Sequence, residues 1–317
     1  MNTRHLVDPQ LTAMLDAFPV LNLSAQTLPQ VREEMAQLQL APPHESGNVT
    51  TAEHQLPGPA GAPEVRVLVT RPTQASQEAL PALVWIHGGG YVLGSADQNQ
   101  PLLEALAEEL GCVTVSVDYR LAPETPHPGP VEDCYAALEW THQKAGDLGI
   151  DADRIVIGGE SAGGGLAAAL ALLARDRAKV PMRAQMLIYP MIDDRTCTNP
   201  DLNPYVGEFV WTNRDNAFGW ASLLGHEPGR DGVSPYAAAA RADDLAGLPP
   251  TFIGVGSLDL FLDENITYAQ RLLRAGVPAE LHIHPGAFHG YFGFEGIELG
   301  ERLRREFVTA LRNAFTR

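Results

Sequence analysis

The sequence predicts an α/β protein, in which helices cover both faces of a mostly parallel sheet. Short apolar segments recur along the chain, and Ala/Leu-rich or amphipathic segments of helical length separate them. The chain has 317 residues, of which 45% are hydrophobic and 19% charged, a composition that excludes a disordered protein. Because the alternation is continuous, we predict one domain over residues 1–317, with a lid above the sheet.

The first half of the chain begins with short helical segments and continues as strand–helix alternation. Residues 1–45 contain several prolines, and Val31, Met35 and Leu38 recur at helical spacing. The first predicted strand alternates apolar and polar residues with period two. The predicted elements, in order, are strand Glu64–Thr70, strand Ala82–Ile86, helix Gln100–Leu110, strand Cys112–Val117, helix Val131–Lys144, strand Arg154–Ile157, helix Ser161–Arg175 and strand Gln185–Tyr189.

An interruption rich in Asn, Gly, Pro and aromatic residues follows at about 193–247. Its one helical patch is Asn213–Leu224, and we interpret it as an insertion over the sheet. We expect the lid to be formed by this insertion and residues 1–45. The alternation then resumes with strand Thr251–Val255, helix Asp263–Ala275 with Gly276 as its C-cap, strand Leu281–His284 and helix Ile297–Phe315.

Charge and composition exclude several classes of partner. With 22 Lys and Arg against 39 Asp and Glu, the net charge is −17, which disfavours nucleic acid as a binding partner. The N-terminus lacks the apolar run of a signal peptide, and the most apolar stretch, Leu166–Ala174, is about half as long as a membrane helix. Cys112, Cys134 and Cys197 have no zinc-type spacing and indicate free thiols. We therefore expect a cytoplasmic protein without membrane or nucleic-acid partners.

The strongest chemical signal is the segment Gly159-Glu160-Ser161-Ala162-Gly163. It fits the pattern G-x-S-x-G and lies between a predicted strand and a predicted helix, as that pattern requires. A sharp turn there would expose the Ser161 hydroxyl at a helix N-terminus, where developing negative charge is favoured. We interpret Ser161 as a nucleophile; a glycine-rich turn that binds phosphate or merely packs is the alternative.

A second signal, His87-Gly88-Gly89-Gly90, directly follows the predicted strand Ala82–Ile86. Consecutive glycines allow backbone N–H groups to point at a substrate oxygen, which is what an oxyanion hole needs. A flexible loop is the alternative. The two motifs together favour an acyl-transfer enzyme, because one supplies the nucleophile of its active site and the other supplies the oxyanion hole.

These motifs, with Asp118-Tyr119-Arg120-Leu121-Ala122-Pro123-Glu124 between them, resemble the hormone-sensitive lipase family, or family IV esterases, of the α/β-hydrolases. The resemblance extends from about residue 60 to the C-terminus. It implies an α/β-hydrolase fold with a helical cap, and a catalytic triad in the order Ser, Asp, His. It allows a homodimer. A covalent acyl-enzyme route needs no metal or organic cofactor, and the sequence has no motif for one.

The resemblance and position together select Asp259 as the triad carboxylate. The family has an Asp at the end of this strand, usually followed by Pro, whereas Leu260 follows here. Asp263 is the alternative, but it opens the next helix, and we expect it to cap that helix.

Position also selects His289 as the base. It follows the last predicted strand, where the sites of α/β proteins form. His282 and His284 share a strand face, but no third metal ligand is apparent, so we interpret them as strand residues. Activity should fall as the pH drops and His289 becomes protonated.

Supporting roles follow from the resemblance. The oxyanion would be held by the N–H of Ala162 and of two among Gly88, Gly89 and Gly90. His87 would anchor the glycine loop, and Asp118 and Arg120 would form a buried network that holds it. We expect Glu160 to bond nearby backbone, with a direct acid/base role as the alternative.

Aromatic residues are the candidates for substrate contact. Tyr91 directly follows the glycine motif, and Phe209 and Trp211 lie in the insertion with Phe218 and Trp220. The insertion aromatics would line an acyl pocket or form the lid's own core. The resulting hypothesis is a carboxylesterase for small, neutral, short- to medium-chain esters that works through an acyl-enzyme. Hydrolysis of amides, lactones or acetylated sugars is an alternative, and so is a non-catalytic small-molecule receptor.

Overall fold

Eight strands of the described chain form one sheet, in the order β1-β2-β4-β3-β5-β6-β7-β8. The computed structural model describes residues 2–17, 20–37, 44, 47–74, 78–294 and 296–316. The strands are β1 (Val49–Leu56), β2 (Val65–Pro72), β3 (Leu80–Ile86), β4 (Val113–Asp118), β5 (Ile150–Glu160), β6 (Ala184–Ile188), β7 (Thr251–Gly256) and β8 (Ala279–His284).

Strand direction places the chemistry at one edge of this sheet. The pairs β1–β2 and β2–β4 are antiparallel, and all other pairs are parallel. The carboxyl ends of β3, β5, β7 and β8 therefore meet at the same edge, where the loops that follow them converge. The predicted mostly parallel sheet is confirmed.

Helices cover both faces of the sheet, as the sequence predicts. On β3, Leu83 and Trp85 join one hydrophobic cluster with the last helix, whereas Val84 and Ile86 join another with the helix after β5. None of the helices in the described ranges is long and apolar enough to cross a bilayer. The helices are α1 (Pro9–Ala17), α2 (Leu28–Gln37), α3 (Gln100–Leu110), α4 (Gly129–Gln143), α5 (Ala145–Leu148), α6 (Ala162–Arg177), α7 (Asn213–Leu224), α8 (Leu262–Arg274) and α9 (Glu298–Thr316).

Strand β1 and the one-turn helix α5 are not predicted from the sequence. The residues of β1 are mostly polar and exposed, with Leu56 buried at its end, so no apolar alternation marks it. Backbone pairing with β2 along its whole length holds it at the edge of the sheet. The predicted helices Gln100–Leu110 and Asn213–Leu224 match in both bounds, and Gly276 follows the C-cap residue of α8 with φ +78°. Leu38 lies outside the described residues.

The two predicted lid segments contact each other. Within 193–247 the structure has helix α7 and short 3-10 turns, and no strand of the sheet. The Thr3 backbone N–H and hydroxyl both donate to Glu208 Oε2 at 2.6 Å, and the Leu23 N–H donates to Asp215 Oδ1 at 2.8 Å. The N-terminal segment therefore lies against the insertion, and their action as a lid stays a prediction.

Candidate active site

Ser161 lies at the sharp turn between β5 and α6. Its φ of 54° and ψ of −121° are unusual for a residue with a side chain. The turn needs glycine on both sides, because a Cβ on Gly159 would lie 2.5 Å from the Gly163 backbone and one on Gly163 2.1 Å from Ile86 O. The crowded backbone thus holds the Ser161 hydroxyl above the sheet edge, as G-x-S-x-G requires.

His289 and Asp259 complete a line of hydrogen bonds with Ser161. His289 Nδ1 lies 2.8 Å from Asp259 Oδ2, and His289 Nε2 lies 2.8 Å from Ser161 Oγ. A carboxylate accepts only, so the imidazole proton sits on Nδ1, and Nε2 is left to accept from the serine hydroxyl. This is the arrangement in which an imidazole can take a serine proton.

The three side chains are almost sealed from solvent. Ser161 and His289 are each 6% exposed, and Asp259 is fully buried. The Tyr189 and Phe261 rings lie 4.6 and 5.2 Å from the imidazole, and the Phe261 N–H donates to Asp259 Oδ1 at 2.9 Å. Electrostatic interactions are stronger in such a dry setting, so Asp259 can stabilise an imidazolium effectively.

The glycine loop lies beside the nucleophile. A Cβ on Gly88 would be 3.4 Å from Ser161 Cβ, and Gly89 has a φ of +114° that favours glycine. In the part of the chain that the structure describes, the N–H groups of Gly88, Gly89 and Gly90 donate to no backbone carbonyl. Ala162 is the first residue of α6. Gly88 and Ala162 therefore both lie next to Ser161. An oxyanion hole formed by Ala162 with two among Gly88, Gly89 and Gly90 stays a prediction.

His87 and Tyr119 hold the beginning of this loop in place. Their rings stack with centroids 4.2 Å apart, and the Tyr119 hydroxyl donates to His87 O at 3.1 Å. Complete burial lowers the pKa of His87 to about 4. A neutral His87 thus fits the expected anchoring position.

Asp118 and Arg120 do not form the single network that the resemblance implies. Asp118 Oδ1 accepts from the Ala96 N–H at 3.0 Å, further along the glycine loop. Arg120 lies beyond the end of β4 and makes a two-pronged pair with fully buried Asp133 of α4, at 2.7 Å for each prong. The two charges therefore hold different elements.

Arg32 on α2 is a supporting residue that sequence reasoning misses. Its Nε donates to Val92 O at 2.8 Å and its Nη2 to Ala122 O at 2.9 Å. Glu124 pairs with the same guanidinium at 2.7 Å. Nothing in the local sequence marks Arg32, because its partners are 60 to 92 positions away.

Glu160 bonds to side chains rather than to the expected backbone groups. Its Oε1 accepts from Gln98 Nε2 at 3.2 Å and Asn99 Nδ2 at 2.9 Å, and its Oε2 accepts from the Tyr189 hydroxyl at 3.1 Å. The backbone N–H groups near Glu160 are used in the sheet and in the turn at Ser161. The donors to its carboxylate are therefore side chains, two from the loop after the glycine motif and one from Tyr189. Glu160 therefore ties that loop to the nucleophile turn.

Tyr91 faces the core rather than the open side of the site. Its side chain is fully buried, and its hydroxyl donates to Met191 O at 2.7 Å. The Trp220 ring lies 5.1 Å away. These contacts favour a packing role over contact with substrate.

Phe209 and Trp211 lie next to the site. The Trp211 ring is 6.5 Å from that of His289, and a Cβ on Gly90 would be only 2.0 Å from Trp211 Cη2. The Phe209 ring is 6.1 Å from that of Phe288, the neighbour of His289. Of the three predicted substrate-contact residues, Phe209 and Trp211 thus lie near the base.

The remaining candidates have structural surroundings. Asp263 is exposed in the first turn of α8, whose N-cap residue is Phe261, so Asp263 is not the predicted cap. His282 Nδ1 and His284 Nε2 both contact Glu306 Oε2, at 3.2 and 2.9 Å. No group of three or more His, Cys, Asp or Glu within the described ranges could hold a metal ion.

Several known proteins that this chain resembles in sequence or structure are esterases. The chain is 36% identical to the carboxylesterase NlhH of Mycobacterium tuberculosis over 91% of this chain and 89% of that protein. It is 32% identical to an ethyl acetate hydrolase of Pseudomonas putida, over 66% of this chain and 65% of that one. A bacterial heroin esterase superposes with a TM-score of 0.93 at 41% identity, and the match covers 100% of both chains.

A family model described as the α/β-hydrolase fold matches residues 83–293, which include the glycine loop, Ser161, Asp259 and His289. The match and the full-length relatives agree with the motif resemblance. The chain therefore belongs to the α/β-hydrolase family, in its hormone-sensitive lipase branch.

Proposed function

We propose that the protein is a carboxylesterase that hydrolyses small, neutral, short- to medium-chain esters. The observation that carries this proposal is the unbroken line of hydrogen bonds from Ser161 through His289 to Asp259. Relatives named as a carboxylesterase, an ethyl acetate hydrolase and a heroin esterase support ester hydrolysis over the other chemistries open to a triad.

The reaction follows from the proton positions. His289 Nε2 takes the Ser161 proton while Oγ attacks the ester carbonyl, and Asp259 stabilises the resulting imidazolium. The imidazolium then protonates the leaving alcohol as the tetrahedral intermediate collapses to an acyl-enzyme. Water, activated by the same imidazole, releases the acid and restores the serine.

The negative charge of each tetrahedral intermediate would be held by backbone N–H groups. We assign this task to Ala162 and to two among Gly88, Gly89 and Gly90. The loop is already fixed by His87, Tyr119 and Asp118, so the donors need no rearrangement during the reaction. One such donor stabilises the transition state by about 3 kcal/mol.

Three further assignments concern the lid, the location of the protein and its oligomeric state. The contacts between the N-terminal segment and residues 193–247 support a shared lid, which is close to the triad at Trp211. Free Cys112, Cys134 and Cys197 support a reducing, cytoplasmic location. A homodimer is proposed from the family resemblance alone.

The central test replaces the nucleophile. We expect Ser161→Ala to lower hydrolysis of p-nitrophenyl acetate by about a millionfold, because the covalent route disappears. The measurement is steady-state turnover, with thermal unfolding to check that the variant is folded. Wild-type turnover in a folded variant would remove the proposed mechanism.

A further inference from the structure

The insertion contains a strained turn directly beside the base. The Trp211 N–H donates to Phe209 O at 2.7 Å, which closes a three-residue turn around Val210. Val210 has a φ of +61°, a region that β-branched residues rarely occupy. Such strained backbone concentrates at functional sites, which makes this turn a candidate for a role in the reaction.

One side of the turn faces the triad. Phe209 contacts Phe288, and a Cβ on Gly290 would lie 3.7 Å from Val210 Cγ1, so the turn contacts both neighbours of His289. The Trp211 indole, 4% exposed, fills the space between the imidazole and Gly90. The indole thus stands where a substrate group bonded to the leaving oxygen would extend.

The other side of the turn faces a cavity of about 130 Å³. Trp211 is not among the lining residues. The walls of the cavity come from both lid segments, and apolar Leu15, Leu21 and Val210 share them with the charged side chains of Arg4, Glu208 and Asp215. The turn therefore separates the indole from an open cleft of mixed polarity.

We propose that Trp211 is a specificity-determining wall that restricts the enzyme to esters of small alcohols. The proposal rests on the proposed function. The leaving oxygen must lie near His289 Nε2, which protonates it, whereas the carbonyl oxygen must lie near Gly88–Gly90. The indole fills the space between these two positions, and the turn that carries it contacts both neighbours of His289, so we assign the indole to the leaving-group side. Removal of the indole opens this space beside the imidazole and admits a longer alcohol chain.

The test compares Trp211→Ala with wild type on acetates of methyl to octyl alcohols. We expect the ratio of kcat/KM for hexyl acetate to that for ethyl acetate to rise about tenfold or more, since each accommodated methylene contributes to discrimination. Trp211→Phe should give a smaller rise. A parallel series of ethyl esters with lengthening acyl chains should keep its wild-type profile.

Two further variants make the test decisive. Tyr205→Leu changes an exposed aromatic residue of the insertion outside the turn and should retain the wild-type ratio. Val210→Gly accommodates the positive φ and loosens the turn, so it should shift the alcohol profile in the same direction as Trp211→Ala. Enzyme concentrations are set by titrating Ser161 with a small phosphonate.

The outcomes separate this inference from the proposed function. A uniform loss of activity across all alcohols in Trp211→Ala, an unchanged alcohol profile, or a shift confined to the acyl series would overturn the role of Trp211. Absence of ester hydrolysis by the wild type, or full activity of Ser161→Ala, would instead overturn the proposed function.

Discussion

At the scale of single residues, the Glu160 carboxylate is the acceptor on which three donors converge. Gln98, Asn99 and the Tyr189 hydroxyl all point at it. Burial raises the pKa of Tyr189 well above its usual value, so its phenol stays a donor. A carboxylate suits this position because it accepts at both oxygens and donates at neither.

We expect Glu160→Gln to destabilise the protein by about 1–3 kcal/mol, although its shape is conserved. The amide NH2 must face at least one of the donors, which then loses its acceptor in a buried setting. The neighbouring Ser161 should shift slightly, so we expect kcat/KM to fall about tenfold. Urea unfolding and steady-state kinetics measure the two effects.

Tyr189→Phe provides the matched control for this prediction. It removes one donor and leaves the carboxylate satisfied by the other two, so its cost should be near 1 kcal/mol. In the double variant the amide NH2 can turn toward the place of the missing hydroxyl. The double variant should therefore lose less stability than the sum of the losses in the two single variants. Strict additivity would contradict the convergence of donors on Glu160.

At the scale of elements, helix α2 is fastened to the glycine loop by one guanidinium. Arg32 donates hydrogen bonds to the carbonyls of Val92 and Ala122, and an ion pair with Glu124 orients its guanidinium group. Ala122 in turn donates its N–H to Tyr91 O at 2.9 Å. The N-terminal segment therefore supports the loop that carries the expected oxyanion donors.

We expect Arg32→Met to reduce kcat/KM about tenfold, because Val92 loses its anchor and the loop donors lose their fixed positions. A trifluoromethyl ketone, whose adduct with Ser161 carries an oxyanion, should bind more weakly by the same factor. Arg32→Lys should restore little, since an ammonium cannot span both carbonyls and the carboxylate. Inhibitor affinity that is unchanged while kcat/KM falls would indicate a role elsewhere.

The same elements mark how far the sequence could predict the structure. Strands with apolar cores and the G-x-S-x-G turn are local patterns, and the resemblance located Asp259 and His289 beyond their own strands. Polar β1 carries no such pattern, because it is held by backbone pairing with β2 and by polar contacts to distant side chains, such as that of Thr51 Oγ1 with Thr70 Oγ1. The contacts of Arg32 join distant segments, so only the folded chain reveals them.

At the scale of the whole molecule, buried His87 makes stability depend on pH. Burial lowers the pKa of His87 from 6.5 in the unfolded chain to about 4, while the hydrogen bond to the Gly88 backbone and the charges of Asp118 and Asp97 oppose the shift. Between these values the unfolded chain binds more protons than the folded one, so the free energy of unfolding rises with pH. The stabilisation is complete above pH 6.5 and is lost as the pH falls toward 4.

Replacement of this imidazole tests that account. His87→Phe keeps a ring to stack on Tyr119 but cannot titrate, and it loses the 2.7 Å hydrogen bond between His87 Nδ1 and Gly88 O. At neutral pH we expect the variant to be less stable by about 1 kcal/mol. Between about pH 7 and pH 4 the wild type should lose about 3 kcal/mol more than the variant, because only the wild type must keep an imidazole neutral at position 87. Urea unfolding at a series of pH values measures both curves, and parallel curves would mean that His87 does not carry this pH dependence.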